Sequence, residues 1–325
     1  MSSIFASSLP TEPLPASRLL EAVQKQKANL THGMLEIDNI GGGSIGIVVF
    51  DKEEIAAYAH NPGGIAAIPS DGWKQVIPAA SNSKHRLLTL QVVPGTLRMV
   101  HVRLAQPPES QMFHLPVDTL VENLTRWREN PKPVLLHIRW SNSDGLVIIS
   151  GLKTPDIEVA IFANGQQIPD KTTLADIVEW SEPEYVLSIF NYVENQAWRI
   201  YLLQAAFSCL IEHLLKRYSE VTGRVLVNSV VRCFNLEAAS QEWDISIVND
   251  KIRDNITLAN FDEAKTRYQT LMLRTLDQMG TLVGRNLVLL ILKDVLSDIE
   301  EPCFRILQDN QIVPDAYYPL VTSRS

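Results

Sequence analysis

Apolar positions along the chain fall into two regimes. Up to about residue 195, short apolar runs recur between clusters of Gly, Pro, Asn and Asp, which is the spacing of strands broken by turns. From residue 198 onward the apolar positions recur at helical spacing. In the first regime, Ser17 precedes Leu19, Leu20 and Val23 and predicts a helix that ends near Asn29–His32. Strands are predicted at GMLEI (33–37), IGIVVF (45–50) and IAAYAH (55–60), with Gly41-Gly42-Gly43 as a hairpin turn. Residues 65–85 read as irregular. RLLTLQVV (86–93) and TLRMVHVRL (96–104) read as two strands joined by Pro94-Gly95. A second helix is marked by Leu120, Val121, Leu124 and Trp127 and closed by Pro131 and Pro133. VLLHIRW (134–140), LVIIS (146–150) and EVAIFA (158–163) follow as strands, with Asn142-Ser143-Asp144-Gly145 as a hairpin turn.

The helical regime contains WRIYLLQAAFSCLIEHLLKRY (198–218), VLVNSVVRCF (225–234), a helix from about Asn260 through Met279, and NLVLLILKDVLSDI (286–299). WDISIV (243–248) reads as a short strand, and the charged residues after it as a solvated loop. LVLLIL is apolar on every side of a helix and predicts a helix covered all round.

Two repeats organise these elements. Residues 19–37 align without a gap to residues 120–138 at a shift of 101 (120 − 19), matching Leu19 to Leu120, Leu35 to Leu136 and Ile37 to Ile138. The order helix, strand, turn, strand, turn, strand is shared. In the helical part, Gly223-Arg224 matches Gly284-Arg285 at a shift of 61 (284 − 223), so both halves read helix, Gly-Arg, helix. The expected fold is α+β: two related small modules, each a helix plus an antiparallel sheet, followed by an all-α bundle. The expected boundaries are a floppy leader at 1–14, modules at 15–105 and 115–195, a bundle of two hairpins at 197–308, and a tail at 309–325.

Composition narrows the function. The 325 residues are 46% hydrophobic and 20% charged with a net charge of −8. An acidic surface opposes general binding to a phosphate backbone. No apolar run approaches the ~20 residues that span a bilayer, and the N-terminal residues lack the basic and apolar regions of a signal peptide. Cys209, Cys233 and Cys303 form no CxxC and read as buried thiols in a reducing cytoplasm.

Chemical motifs are sparse. The histidines are scattered, with no zinc-ligand spacing. The glycine run at 41–43 leads into a β-branched strand, not into the Lys-Ser/Thr and helix of a phosphate loop. No GxSxG elbow or EF-hand loop is present. The sequence therefore assigns no catalytic, cofactor or metal residue. Candidate partner contacts are Arg224 and Arg285, as paired cations for a partner carboxylate, and Tyr317 and Tyr318 in the tail.

Gly33, Leu35, Phe50 and Ile55 fall where PATAN-type domains of bacterial, notably cyanobacterial, response regulators carry Gly-hydrophobic-Leu, a strand ending in Phe, and the next apolar strand. Residues 17–60 resemble that pattern, with Glu53-Glu54 where the family has a turn glycine. Residues 118–163 form a second copy with Leu136 and Gly145 but no Phe. The resemblance implies a partner-docking module in two-component-type signalling rather than an enzyme. The expected function is thus a cytoplasmic bacterial regulatory or scaffold protein that works through protein–protein contacts, with a homodimer seam on the C-terminal helices. The competing class is an enzyme or small-molecule sensor with a pocket between the modules and the bundle.

Overall fold

The structure, a computed structural model, describes residues 4–29, 32–40, 45–51, 53–61, 64–68, 84–128, 132–152, 157–256, 260–315 and 317. The chain divides into two units, residues 1–150 with 156–197, and residues 151–155 with 198–325. It is α+β, with a large mixed sheet and its helices first and a helical region after.

The first unit opens with two short strands, β1 (Leu9–Pro10) and β2 (Leu14–Pro15), and helix α1 (Ala16–Asn29). Strands β3 (His32–Ile40), β4 (Ile45–Asp51), β5 (Glu53–Asn61) and β6 (Gly64–Ile68) form an antiparallel meander. β7 (Lys84–Gln91) returns beside β3 and leads into helix α2 (Leu97–Leu104). The second half has β8 (Ser110–Pro116), α3 (Leu120–Arg128), then β9 (Val134–Arg139), β10 (Ser143–Ile149), β11 (Ile157–Ala163) and β12 (Gln166–Gln167). Helix α4 (Leu174–Glu179) precedes β13 (Glu184–Asn191), which returns beside β9.

The two halves pair in the same register. Gly33 faces Gln91 in the first half, and Val134 faces Asn191 in the second. Leu14-Pro15 face His85 and Lys84, whereas Leu115-Pro116 face Tyr185 and Glu184. Even the one-residue register slip on the outer strand recurs: β1 and β2 on β7 are offset by one, as are the two ends of β8 on β13. The cores match as well. Leu19, Val23, Leu35, Ile37, Ala57 and Leu87 pack together in the first half. Leu120, Leu124, Leu136, Ile138, Val159 and Leu187 pack together in the second. A register slip of one residue would turn the strand residues among them to the other face.

Five expectations for this unit change. The modules are not separated at 106–114: β7 pairs with β12 and the strands form one sheet of thirteen among the described residues. The floppy leader is docked, with Phe5 fully buried and Leu9-Pro10 paired to β7. Its composition shows no periodicity because its amides are held by side chains distant in sequence. Residues 97–104 are helical, not a strand; seven of the eight are buried, so the helix shows no polar face to betray its period. Residues 65–68, expected to be irregular, belong to edge strand β6 (Gly64–Ile68). Asp144 and Gly145 lie inside β10 rather than in a turn, which is closed one step earlier by Trp140 N–H to the Ser143 carbonyl, 2.9 Å. A Cβ on Gly145 would stand 2.6 Å from Ile177 Cδ1 and 3.2 Å from the Trp140 ring, so packing demands the glycine. The glycine run at 41–43 lies outside the described residues.

The second unit holds α5 (Gln196–Thr222), α6 (Arg224–Ser240), the β14–β15 hairpin (Ile245–Val248 and Lys251–Asp254), α7 (Phe261–Val283), α8 (Arg285–Asp298) and α9 (Glu301–Asp309). Gly223 and Gly284 each separate two helices as a single residue, with φ of 85° at both and ψ of 165° and 145°. Only glycine enters that region without strain. The helix, Gly-Arg, helix pattern is therefore present twice. α6 and α7 are antiparallel, since Ser229 meets Gln278 and Glu237 meets Arg274. The core includes Phe207, tilted against Tyr268 with ring centres 4.6 Å apart and stacked on Phe234 at 6.4 Å. Tyr268 donates to Asp254 at 2.6 Å.

Two further expectations change. The solvated loop after WDISIV is strand β15. Asn249 and Asp250 take φ of 51° and 63°, the left-handed pair that closes a tight hairpin. The tail is anchored as far as Tyr317. Ile312 and Val313 are fully buried, and the Gln269 amide donates to the carbonyls of Asn310 and Gln311.

Candidate functional site

The four residues singled out in the sequence have separate fates. Arg224, the first residue of α6, forms an ion pair with Asp250 in the hairpin turn. Arg285, the first residue of α8, places its guanidinium 5.3 Å from the centre of the Tyr317 ring. Tyr317 is buried. Tyr318 lies outside the described residues.

Arg224 belongs to a groove of about 430 Å³ where α5 meets the hairpin and the start of α6. Glu212, His213, Lys216, Ser219 and Asp250 line it with Arg224. Its charges pair across the opening, Lys251 with Glu212 at 2.9 Å as well as Arg224 with Asp250. His213 Nδ1 is occupied by the Cys209 carbonyl at 2.8 Å, and the Cys209 thiol, 3.6 Å away, is buried. The Cys209 thiol is thus shut in, and the His213 Nδ1 beside it is engaged with backbone.

Near Gly223 and Gly284 three apolar side chains are exposed: Val221, Val225 and Leu290. Asp294 of α8 meets Arg217 of α5 at 2.9 Å, and Cys303 of α9 meets the Ala206 carbonyl at 3.7 Å, so α8–α9 run opposite to α5. One turn beyond Arg217 is Val221, and one turn before Asp294 is Leu290; the antiparallel sense puts them at one level. Val221 is 46% exposed, Leu290 59% and Val225 81%. The covering expected for the LVLLIL run is therefore incomplete within the chain: Val288, Ile291 and Leu292 are buried, Leu289 is half-buried and Leu290 is open.

A second constellation lies in the first unit. Asp144, fully buried, accepts from Ala6 N–H at 3.2 Å, Ser7 N–H at 2.8 Å, Ser7 Oγ–H at 2.7 Å and His137 Nε2 at 2.9 Å. The other nitrogen of His137 accepts from Arg103 Nε–H at 2.9 Å, which fixes the tautomer with the proton on Nε2. Arg103 also lies 4.4 Å over the Phe190 ring. Glu36 takes the Ile4 N–H with both oxygens, at 3.1 and 3.3 Å.

Burial, reinforced by the Arg103 and Arg139 charges, pushes His137 down to about 4 despite the pull of Asp144. Burial opposes the charge on Asp144 too, but hydrogen bonds from His137 and Ser7 outweigh it and hold the carboxyl below its usual range. Burial and then Arg139 lower Arg103 to about 9, so it stays charged at neutral pH. Serine, carboxylate and imidazole do not form a nucleophilic triad here. The carboxylate sits between the hydroxyl and the ring, and a triad needs the imidazole in that place. The cluster holds backbone rather than a reacting group. Its sequence signal was present: Glu36, Arg103 and His137 each interrupt an otherwise apolar run.

No group of three or more metal-ligating side chains occurs among the described residues, and no described helix is long and apolar enough to cross a membrane. No family model matches the chain, and no curated protein matches it. One solved structure similar to part of it is titled "Putative DNA polymerase III beta subunit", from Eubacterium rectale. Identity is 11%, with 59% of this chain and 67% of that one covered, at a TM-score of 0.12. A superposition at that level supplies no argument about fold or function.

Proposed function

We propose that the protein is a non-catalytic regulatory or scaffold protein that acts by protein–protein contact, and that its first unit is built from two copies of one module. Matched register and matched cores in the two halves support the duplication. The observation that carries the docking role is the exposure of Val221, Val225 and Leu290, on the helices that flank Gly223 and Gly284; Leu236 and Leu273 are also exposed in this unit. Apolar side chains left together in water mark an interaction surface.

The occupant we assign to this surface is a second copy of the chain. A two-fold interface brings a patch against itself, so its charges must complement themselves. Arg217 pairs with Glu220 and Asp294, and Arg224 with Asp250, so these helices carry exposed charges of both signs. The partner-docking role of PATAN-type domains agrees with this reading.

Sedimentation equilibrium of the chain and of Val225→Asp tests it. The parent should associate reversibly to twice 36.4 kDa. The variant should remain at 36.4 kDa with an unchanged circular-dichroism spectrum. Equal association of both would overturn the assignment of this surface.

A further inference from the structure

We infer that the seam between the two halves of the first unit is a peptide-binding site, occupied here by the chain's own residues 4–10 and open to exchange with the same segment of a second copy. The ligand class is a segment whose buried aromatic opens a turn, closed by Ser8 N–H to the Phe5 carbonyl at 3.2 Å, before a short strand at Leu9–Pro10. The inference stands on the first unit alone and is independent of the helical patch.

Residues 4–10 are held as a peptide ligand is held. Main-chain groups give the grip: Ile4 N–H goes to Glu36, Ala6 and Ser7 N–H to Asp144, and the Ser7 carbonyl accepts from Gly165 N–H at 2.6 Å. Leu9 and Pro10 then add to the open edge of β7 opposite Thr89 and Leu88. Strand addition plus a side-chain socket is a recurrent mode of peptide recognition. The socket takes Phe5, whose ring lies 5.0 Å from His137 and 5.6 Å from Phe162.

The receiving groups are built for the purpose. Glu36 and Asp144 come one from each half, are fully buried, and accept from the backbone of Ile4, Ala6 and Ser7. Such charges are costly to bury without partners, so the site favours an occupant at all times. The sheet itself does not depend on it, because β7 keeps β3 along its full length and meets β12 at Gln91. The fit leaves room. A cavity of about 460 Å³ runs beside Ser7–Pro10, lined by Asp38, Arg86 and Asn142, and the buried Ser8 hydroxyl has no partner in it.

A protease site inserted after the exposed Glu12 tests this on the folded full chain. After cleavage, residues 1–12 are held without a covalent link, and an excess of fluorescent peptide of residues 1–12 is added. Exchange is expected to be saturable. It should weaken at least tenfold with Phe5→Asp in the peptide and at least fivefold with Asp144→Asn in the chain. Val225→Asp in the helical unit should leave it unchanged. Retention of the original fragment with no exchange over days would overturn the inference and make the segment a fixed part of the fold. Immediate loss of the fragment with no uptake of peptide would overturn it equally.

Discussion

Replacing Asp144 by alanine removes the acceptor on which four donors converge: two backbone amides, the Ser7 hydroxyl and the His137 ring. Ser7 and His137 are buried, and the Asp144 side chain has no exposed surface. Each donor left unpaired costs about 1–3 kcal/mol, and breaking a buried charge pair costs about 3–5 kcal/mol. These are not additive, because Ser7 and the N-terminal backbone can relax together. The expected loss for Asp144→Ala is therefore about 3–5 kcal/mol, and for the isosteric Asp144→Asn about 1–3 kcal/mol.

Urea unfolding at pH 7 measures the loss, and amide hydrogen exchange at Ala6, Ser7 and Gly165 localises it. In Asp144→Ala those amides should lose protection before the strands β9 and β10 do. A double-mutant cycle with Ser7→Ala should give a coupling of about 1 kcal/mol or more. A loss below about 1 kcal/mol with Ser7 still protected would refute the view that Asp144 holds the N-terminal segment.

Other outcomes follow from the same geometry. His137 and His101 are both buried and pushed down to about 4, chiefly by burial. Their unfolded value is about 6.5, so the unfolded chain binds protons first as pH falls. Stability should drop by about 2 kcal/mol per histidine between pH 7 and pH 5, and His101→Asn should flatten that slope; an unchanged slope contradicts it. Gly145→Ala should cost about 1–3 kcal/mol by overpacking. Adding Ile177→Val, which deletes the clashing Cδ1, should recover part of it in thermal melts. Gly223→Ala and Gly284→Ala share one backbone conformation with open space around both, so each should cost a similar ~1–2 kcal/mol of strain in urea unfolding.

Much of the architecture was legible because pattern and packing coincide there. Leu19, Leu35, Leu120 and Leu136 stand at matched positions in the sequence and pack at matched positions in the cores. The paired glycines were legible because a helix interrupted by Gly-Arg leaves few other readings. Helix α2 was not, since full burial erases the polar face that reveals a period. Asp144-Gly145 imitated a turn because both are turn-forming residue types, while their reasons for being there, a buried acceptor and a close approach, are tertiary. For the candidate site, Arg224 and Arg285 could be found from the repeat. The exposure of Val225 and Leu290 could not, since an apolar residue on a helix does not declare which neighbours cover it. The cluster at Asp144 joins residues from Ser7 to His137 that no local pattern links.

The central claim is that the helical patch is where a second copy docks. Sedimentation equilibrium across a concentration series, from about 1 to several hundred µM, tests it most directly, because a weak docking interface would lie in that range of affinity. The account predicts a monomer–dimer equilibrium for the parent chain that Val225→Asp and Leu290→Asp each abolish while the fold is kept. A single species of 36.4 kDa for the parent at the highest concentration would contradict it.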